Sequence, residues 1–290
     1  MFGLDETLRA IVQRALAEDL GAVGDLTAQV AVPAGARGVA EIIAREDGVL
    51  AGMVVARECF RQVDETIEFG EETRSDGAVL PAGAVVATLR GDAAALLAGE
   101  RVALNFLQRL SGIATRTRQF VDAVAGLRVR ILDTRKTTPN LRALEKAAVR
   151  VGGGENHRIG LFDQILLKEN HFAMSGREYE DVVRAAVGAV DTPVIAEARN
   201  ATEALAAVAA GVGVVLLDNF GPGPDLRAAV TAIRERTAQV GMAVEIEASG
   251  GVTLANVRAI AECGVDRISV GSLTHSVTSL DLSMLSTNPP

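Results

Sequence analysis

The residues best suited to chemistry lie between positions 133 and 171 of the chain. This stretch holds two of the three histidines and all three lysines, Lys136, Lys146 and Lys168. Elsewhere the basic residues are arginines, so the lysines are candidates for roles that a bulky guanidinium cannot fill. Six basic side chains fall in loops or at predicted strand ends and are candidates for one anion-binding pocket: Arg135, Lys136, His157, Arg158, Lys168 and His171.

Such a cluster fits the binding of a small, strongly anionic ligand. Arginine contacts a carboxylate or a phosphate in a bidentate manner, whereas lysine supplies a point charge. His171 taken alone fits a structural hydrogen bond as well as ligand binding, and His275 is predicted to be structural. Arg142, Lys146 and Arg150 recur at helical spacing and are predicted to form a solvated helix face. No spacing of Cys, His or carboxylate residues in this stretch resembles a zinc site.

Two glycine-rich turns near the end of the chain indicate a phosphate site. Ser249–Thr253 reads SGGVT and Ser269–Gly271 reads SVG, each after an apolar run and before a helical stretch. Backbone N–H groups at helix N-termini bind phosphate, and α/β barrels use these turns for it. Ordinary strand-to-helix turn chemistry is the alternative. Glu197 and Asp218 end the two preceding apolar runs, and their hard oxygens suit Mg²⁺ or ribose hydroxyls.

Alternating apolar runs and helical stretches predict the fold that positions these groups. Continuous apolar strands between amphipathic helices indicate a parallel sheet buried on both faces. The number of units favours a closed or nearly closed barrel, and no GxGxxG motif follows a strand. The expected strands are 129–133, 164–168, 193–197, 213–218, 244–249 and 267–271, with helices at 141–151, 178–189, 201–210, 225–239 and 254–263. Polar groups follow every expected strand, where barrel enzymes hold their catalytic residues, so the pattern predicts an enzyme.

The first part of the chain has a different character. Residues 7–18 have the apolar spacing of a helix, and short β-like runs follow at 39–44 and 85–89. The segment 76–89 has the pattern of a hairpin in a small β domain. Residues 93–125 are predicted to be helical, with a break near Ser111 and Gly112.

Composition excludes several classes of function. The chain has 290 residues, a formal net charge of −8, no Trp and one Tyr, which opposes nucleic-acid binding by charge or by stacking. Apolar runs are far shorter than a membrane span, and the start lacks the pattern of a signal peptide. Cys59 and Cys263 are isolated and are predicted to be core residues, so a cytoplasmic location is expected.

Read as strings, these motifs resemble the quinolinate phosphoribosyltransferase family, also called carboxylating nicotinate-nucleotide pyrophosphorylases. The resemblance covers nearly the whole chain, and DTRKTTP followed by NHR and KENH is its most specific part. The matching segments are Glu18–Asp19, Gly24–Thr27, Glu100–Asn105, Asp133–Pro139, Asn156–Arg158, Leu167–His171, Glu197, Leu217–Asn219, Glu247–Gly251 and Val270–Gly271. One departure is Asn140, where the family usually has Gly; Asn tolerates the left-handed backbone that such a turn needs.

The resemblance implies a fold and an assembly. It implies an N-terminal α/β sandwich domain over 1–112 and an incomplete α/β barrel of about six to seven parallel strands over 113–270. A C-terminal helix or tail, 271–290, is expected to pack on the N-terminal domain. The family forms homodimers, and Arg101 is expected to reach the active site of the partner subunit; higher oligomers of dimers stay open.

The implied activity is phosphoribosyl transfer from phosphoribosyl pyrophosphate to quinolinate with decarboxylation, a pentosyltransferase step of de novo NAD biosynthesis. The residues implied to bind quinolinate are Arg101, Thr134, Arg135, Lys136, His157, Arg158 and Lys168. Those implied to bind phosphoribosyl pyrophosphate are Lys168, Glu197, Asp218, Ser249, Gly250, Gly251, Val270 and Gly271. Lys136, Lys168, Glu197 and Asp218 are expected to be catalytic, with Glu197 and Asp218 holding substrate-bound Mg²⁺ directly or through water.

The sequence raises three alternatives, of which two remain open. One is a related pyrophosphorylase with another acceptor, such as the type found with molybdate transport. Another is a sugar-phosphate barrel aldolase or isomerase, although such enzymes have little use for so many cations around one substrate. A carrier module is disfavoured because no lysine that could carry a lipoyl or biotinyl group precedes Lys136.

Overall fold

The structure is a computed structural model that describes residues 6–287. The chain divides into two compact units whose sequences interleave. Among the described residues, the first unit comprises 6–118, 137–153 and 276–287, and the second comprises 119–136 and 154–275. The domains expected from the sequence follow one another along the chain, whereas each compact unit combines separate stretches of it. The expected domain boundaries stay a prediction.

The first unit is built from helices and short antiparallel sheets. One sheet has the strand order β12-β1-β5-β3 and a second pairs β2 with β4. The last described strand, β12, pairs with β1. The elements are α1 Glu6–Leu20, α2 Leu26–Ala31, β1 Arg37–Ala44, β2 Gly48–Val49, α3 Met53–Val63, β3 Glu68–Phe69, β4 Val79–Leu80, β5 Val85–Asp92, α4 Ala93–Ala123, α5 Arg142–Val151 and β12 Leu282–Ser286. The last residues of α4, from 119 onward, belong to the second unit.

Two expectations for this region are wrong. The segment 76–89 is not a hairpin, because β4 pairs with β2 whereas β5 pairs with β1 and β3. The helix α4 is continuous through Ser111 and Gly112. The Ser111 hydroxyl accepts from the Ala51 amide at 3.0 Å. A Cβ on Gly112 would lie 2.2 Å from the Thr278 carbonyl oxygen. Close tertiary contacts thus explain why small residues occur at these two positions, and the helix is not interrupted there.

The second unit contains a six-stranded parallel sheet with the order β6-β11-β10-β9-β8-β7. Its edge strands are β6 and β7, which are not paired with each other in the described sheet. The sheet therefore corresponds to an incomplete α/β barrel. The elements are β6 Arg130–Leu132, β7 Leu166–Leu167, α6 Glu169–Ser175, α7 Tyr179–Val187, β8 Ile195–Ala198, α8 Ala201–Ala209, β9 Val214–Asp218, α9 Pro224–Val240, β10 Glu245–Ser249, α10 Val257–Ala261, β11 Arg267–Ser269 and α11 Ser272–His275.

Each strand of this sheet lies within or one residue from its expected range, although β7 and β11 are shorter than the apolar runs that predicted them. The strands are buried, and Leu166, Ile195, Val214 and Leu216 form one core cluster between neighbouring strands. Two helices differ from expectation: α10 covers only Val257–Ala261, and α6 follows β7 where no helix was expected. In the described part of the chain, no helix is long and apolar enough to cross a membrane.

Candidate functional site

A cavity of about 820 Å³ lies in the second unit and is lined by residues at the carboxyl ends of its parallel strands. Parallel strands end at the same edge of their sheet, so residues distant in sequence meet there. The lining comprises Thr134, Arg135, Lys136, His157, Arg158, Leu166, Lys168, Glu169, Asn170, Glu197, Leu216, Asp218, Asn219, Glu247, Ser249, Gly250, Gly251, Val252, Thr253, Ser269, Gly271, Ser272 and His275. It is therefore a polar cavity with many cations.

Four permanently basic side chains face this cavity: Arg135, Lys136, Arg158 and Lys168. Burial, followed by the like charge of Arg135, lowers the pKa of the Arg158 guanidinium, while Asp163 opposes this shift. Arg158 Nη1 also donates to the Gln164 carbonyl oxygen at 3.2 Å. Loss of hydration on burial is thus the larger cause of the lowered pKa of Arg158, and the smaller part due to Arg135 is a repulsion that an anionic ligand would relieve.

The loop that carries Arg158 is fixed by side-chain hydrogen bonds. The His157 amide donates to Asp133 Oδ1 at 2.8 Å, and Asp133 is fully buried. The Arg158 amide donates to His157 Nδ1 at 2.8 Å. Asp163 then accepts from the amides of the next two residues, Ile159 and Gly160, at 2.6 and 2.9 Å. The guanidinium therefore extends from an ordered backbone.

Two carboxylates face the same cavity from neighbouring strands, Glu197 on β8 and Asp218 on β9. Glu197 Oε1 accepts from the Glu169 amide at 3.1 Å, and Oε2 lies 3.8 Å from Lys168 Nζ. Burial raises the pKa of Asp218, and the charges of Lys168 and Lys136 oppose this shift. In such an arrangement the carboxylates can bind a metal cation while the lysines bind the phosphates that accompany it.

The turn after β10 requires glycine at Gly250. Its φ is +89°, and a Cβ there would lie 2.1 Å from Asn219 Oδ1. Asn219 itself has a φ of +58°, its amide donates to the Ser249 carbonyl oxygen at 2.8 Å, and its Nδ2 donates to Asp218 Oδ2 at 2.5 Å. Asn219 therefore connects the Asp218 carboxylate to the glycine turn.

The turn after β11 approaches a lysine of the first loop. A Cβ on Gly271 would lie 3.0 Å from Lys136 Cδ and 3.2 Å from His275 Nε2. The Thr274 hydroxyl donates to the Lys136 carbonyl oxygen at 2.7 Å. The short helix α11 and the glycine turn before it thus support the backbone of Lys136 and leave little room beside its side chain.

Of the candidate site residues named from the sequence, all but Arg101, Val270 and His171 line this cavity. Arg101 belongs to the first unit, where it is exposed on α4. Val270 is buried, and its amide donates to the Leu132 carbonyl oxygen. His171 does not line the cavity; its Nδ1 accepts from the Lys168 amide at 2.8 Å, at the start of α6.

The predicted solvated face of α5 is wrong for one residue. Arg150 is exposed, and Arg142 Nε donates to Thr137 Oγ1 at 3.0 Å, but Lys146 is only 1% exposed. Basic residues at intervals of four therefore do not form one solvated face here. Helical spacing shows that residues share a face of the helix, but not whether that face is covered by other parts of the protein.

Several lining residues were not singled out as site residues from the sequence. Asn219 and Glu247 occur inside the motif strings, so a closer reading of LDN and EASGG would have found them. His275 lines the cavity although it was predicted to be structural. Ser269, Ser272 and Thr253 carry no sequence signal beyond their place in or after a strand-end turn.

The chemistry of this lining fits a substrate-bound magnesium ion. Mg²⁺ in phosphate sites is held by one or two carboxylates together with phosphate oxygens, and it keeps water ligands. Glu197 and Asp218 supply such carboxylates. Within residues 6–287, no group of three or more His, Cys, Asp or Glu side chains is arranged to hold a metal alone.

The fold and the cavity together define an α/β protein with a parallel sheet and a polar cavity at the carboxyl ends of its strands. Comparisons with known proteins narrow this class. Family models described as the N-terminal and C-terminal domains of quinolinate phosphoribosyl transferase match residues 25–111 and 113–285. This chain therefore belongs to the quinolinate phosphoribosyltransferase family.

Individual relatives agree with the family match. A probable nicotinate-nucleotide pyrophosphorylase [carboxylating] of Bacillus subtilis is 42% identical over 96% of this chain and 92% of its own length. One of Synechocystis is 43% identical over 94% and 90%. The structure of the nicotinate-nucleotide pyrophosphorylase from Francisella tularensis superposes with a TM-score of 0.89, at 38% identity and over 97% and 96% of the two chains. Neither alternative enzyme class is favoured by these comparisons.

Proposed function

We propose that this protein transfers a phosphoribosyl group from phosphoribosyl pyrophosphate to quinolinate and releases pyrophosphate and CO₂, forming nicotinate mononucleotide. The observation that carries this proposal is one cavity lined by four basic side chains, four carboxylates and two glycine turns. Relatives that this chain matches over more than nine-tenths of its length are named for this reaction. It is a decarboxylating pentosyltransferase of NAD biosynthesis.

The basic side chains are proposed to hold the two carboxylates of quinolinate. Arg135 and Arg158 suit bidentate carboxylate contacts, and Lys136 and Lys168 add charge without bulk. Thr134 and His157 complete this part of the lining. Clamping both carboxylates fixes the plane of the pyridine ring, so that its nitrogen is directed at the reacting ribose carbon.

The phosphoribosyl side of the cavity is proposed to lie between the carboxylates and the glycine turns. Ser249, Gly250, Gly251 and Gly271 line it, and backbone N–H groups in such turns bind phosphate. Glu197 and Asp218 would hold Mg²⁺, which when bound neutralises charge on the departing pyrophosphate. Lys168, next to Glu197, is placed to stabilise the same charge.

The reaction makes three demands that these residues meet. The ring nitrogen attacks C1 of the ribose with its own lone pair, so no general base is required. The bond from C1 to pyrophosphate breaks, and the cationic groups stabilise the charge that develops on the leaving oxygens. The adjacent carboxylate then leaves as CO₂, and a proton takes its place on the ring carbon. The positively charged ring nitrogen stabilises the electron pair left by that loss.

An assay with purified protein, quinolinate, phosphoribosyl pyrophosphate and Mg²⁺ tests this proposal. Nicotinate mononucleotide and CO₂ should form in equal amounts, and formation should stop without phosphoribosyl pyrophosphate. Nicotinate should not replace quinolinate, because it lacks one of the two clamped carboxylates. Turnover of nicotinate, or of another base in preference to quinolinate, would identify a pyrophosphorylase with a different acceptor.

We also propose that the protein is a homodimer in which Arg101 enters the site of the partner subunit. Support comes from its exposed position on α4 within the ERVALN motif. Light scattering should give twice the chain mass. Mixing Arg101→Ala with Lys136→Ala protein should restore up to about a quarter of wild-type activity, because one site of each mixed dimer then keeps both residues. No recovery in mixed dimers would contradict the exchange of Arg101.

A cytoplasmic location is proposed from the cysteines. Cys59 and Cys263 are both free and buried, which is usual where thiols stay reduced. Burial and the neighbouring Glu58 raise the pKa of Cys59 to about 12, so its thiolate is scarce at neutral pH. Fractionation of cells that express the protein at native levels should recover it with cytoplasmic markers.

A further inference from the structure

The only tyrosine of the chain, Tyr179, connects three elements beside the cavity without lining it. It is the first residue of α7, and its hydroxyl donates to the main-chain carbonyl oxygen of Glu197 on β8 at 3.0 Å. Its ring stacks on Phe172 of α6, with the ring centroids 4.3 Å apart and the ring planes inclined by 25°. One side chain therefore holds two helices against the strand that carries a carboxylate of the cavity.

Glu197 is consequently held at both its main chain and its side chain. While Tyr179 binds its carbonyl oxygen, Glu197 Oε1 accepts from the amide of Glu169, the first residue of α6, at 3.1 Å. Lys168 directly precedes α6, and its Nζ lies 3.8 Å from Glu197 Oε2. The placement of α6 against β8 thus sets the distance between this lysine and this carboxylate.

The helix α6 has few internal contacts to hold it in place. It spans seven residues, Glu169–Ser175, and none of them is buried. A helix this short is not stable by itself, so it depends on contacts with neighbouring elements. The stack of the partly buried Phe172 on Tyr179 is such a contact, because stacked aromatic rings attract each other beyond the effect of the area that they bury.

The hydroxyl of Tyr179 is suited to a permanent hydrogen bond. The ring is partly buried, and burial raises the pKa of Tyr179. The charges of Glu203 and Glu197 raise that pKa further, whereas Arg199 opposes them. The phenol therefore keeps its proton at neutral pH and donates it to the carbonyl oxygen, which can only accept.

We propose that Tyr179 is a positioning residue whose hydroxyl and whose stack on Phe172 fix the Glu197 carboxylate relative to Lys168 for the binding of phosphoribosyl pyrophosphate with Mg²⁺. Tyr179 acts through Glu197 and does not touch the ligand, since it lies outside the cavity lining. Its role rests on the proposed function, which assigns Glu197 and Lys168 to the same ligand. The contacts of Tyr179 do not depend on that function and are testable in the protein without substrate.

A rapid pH jump tests the hydroxyl contact without substrate. The chain has no Trp and one Tyr, so the phenolate absorbance of the protein reports on Tyr179 alone, and Tyr179→Phe is the spectral blank. An exposed phenol has a pKa of about 10 and ionises within the mixing time at about pH 11. We expect Tyr179 to keep its proton over that time and to ionise only as the chain unfolds. Ionisation within the mixing time, while the circular dichroism is still native, would overturn the proposal.

A pair of aromatic substitutions tests the stack. Phe172→Leu removes one ring of it, and Phe69→Leu is the matched control, because Phe69 packs edge-on against Phe60 in the first unit with centroids 5.9 Å apart. Both variants should have a lower melting temperature. Only Phe172→Leu should raise the Kd for phosphoribosyl pyrophosphate with Mg²⁺, by about threefold or more. An unchanged Kd in Phe172→Leu, or an equal rise in both variants, would mean that the stack is only structural, and the proposal would fail.

A double-mutant cycle tests whether Tyr179 acts through Glu197. Calorimetry without quinolinate measures the Kd for phosphoribosyl pyrophosphate with Mg²⁺ in the wild type, Tyr179→Phe, Glu197→Gln and the double variant. We expect Tyr179→Phe to raise Kd about three- to tenfold in the wild-type background, as for one lost hydrogen bond. In the Glu197→Gln background the rise should be less than about twofold, because residues that act through one another are not additive.

The outcomes of this cycle separate the role of Tyr179 from the proposed function. Equal rises of Kd in both backgrounds would overturn the role of Tyr179 and leave the proposed function in place. If the wild type does not bind phosphoribosyl pyrophosphate, the proposed function fails and the role of Tyr179 fails with it. In turnover assays, KM for quinolinate should rise less than about twofold in Tyr179→Phe, because Arg135 and Arg158 are proposed to bind quinolinate independently of Glu197. A rise in KM for quinolinate as large as that for phosphoribosyl pyrophosphate would contradict an action through Glu197.

Discussion

At the residue scale, the cavity brings basic side chains and carboxylates together in one place. The protein has a formal net charge of −8, and four basic side chains line this cavity beside four carboxylates. Burial lowers the pKa of Arg158, and repulsion from the like charge of Arg135 lowers it further. A polyanionic ligand removes that repulsion, so its binding and the catalytic charge stabilisation draw on the same side chains.

Removing one of these cations should abolish most of the activity and leave the fold intact. We expect Lys136→Ala and Arg158→Ala each to lower kcat/KM for quinolinate by about a hundredfold or more, since a charge that contacts an anionic reactant is lost. Arg150→Ala, at an exposed position of α5, is the control and should keep normal kinetics. Near-normal kcat/KM in either cavity variant would show that its side chain does not contact quinolinate.

The glycine turn after β10 should tolerate no side chain. Gly250→Ala puts a Cβ 2.1 Å from Asn219 Oδ1 in a backbone with a φ of +89°. We expect KM for phosphoribosyl pyrophosphate to rise about tenfold or more, because Asn219 and the turn must move apart. Gly126→Ala, which also has a positive φ but open space, measures the backbone strain alone. Equal effects of the two substitutions on KM would show that the close contact with Asn219 is not what makes glycine necessary at position 250.

At the element scale, packing overrides local preference. Gly112 lies inside the continuous helix α4, where glycine is unfavourable by about 1 kcal/mol relative to alanine. It is required because the backbone of Thr278 approaches it too closely for any Cβ. In the same helix, the Ser111 hydroxyl accepts a hydrogen bond from the Ala51 amide. Both small residues of α4 therefore lie at close contacts with other segments.

Gly112→Ala should therefore destabilise the protein although alanine favours helix. A Cβ 2.2 Å from the Thr278 carbonyl oxygen forces a backbone shift, and we expect a loss of about 1–3 kcal/mol in the free energy of unfolding. Chemical denaturation measures it, with Asp122→Ala at an exposed position of the same helix as control. An unchanged or higher stability of Gly112→Ala would show that this close approach is not required.

The helix α3 contains a carboxylate whose stabilising effect depends on pH. A hydrogen bond from Arg61 lowers the pKa of the buried Glu58, with a further one from Gln62. A lowered pKa means that the contribution is present above the unfolded-state value of about 4.3 and disappears as pH falls through the folded value. Glu58→Gln should thus cost about 1 kcal/mol at pH 7 and progressively less below about pH 4, as followed by denaturation. A difference that does not vary with pH would contradict this.

At the scale of the whole molecule, two compact units are each assembled from separate stretches of the chain. Residues 137–153 belong to the first unit, although they are flanked by residues of the second. The final strand, β12, joins the first strand of the chain, β1, in one sheet. The chain therefore passes repeatedly between units. The cavity lies in the second unit, so a ligand that binds there stabilises the folded form of that unit.

Ligand binding should accordingly raise the melting temperature. Phosphoribosyl pyrophosphate with Mg²⁺ at a hundred times its Kd should stabilise the native state by about 2.7 kcal/mol, since only the native state binds it. The shift should shrink strongly when Mg²⁺ is removed with a chelator, and also in Lys168→Ala. It should persist in Arg150→Ala. A shift that is independent of both Mg²⁺ and Lys168 would place the ligand elsewhere.

Much of the fold could be predicted from the sequence because the parallel strands are buried on both faces. Such strands appear as continuous apolar runs, and each of the six was located within its expected range or one residue from it. The errors occurred where contacts between distant residues decide the outcome: the supposed hairpin at 76–89, the supposed helix break at Ser111 and Gly112, and the supposed exposure of Lys146. Local sequence carries no information about those contacts.

The cavity shows the same division. The sequence by itself determined which residue types end the strands, and parallel topology brings those ends together, so Arg135, Lys168 and Asp218 were found in advance. Only the tertiary structure decided that Glu247 is buried against His157 and Arg267, and that Asn219 is tied to both Asp218 and Gly250. A pattern along one strand reports which way a side chain faces, but its partner comes from another strand, and only the folded chain brings the two together.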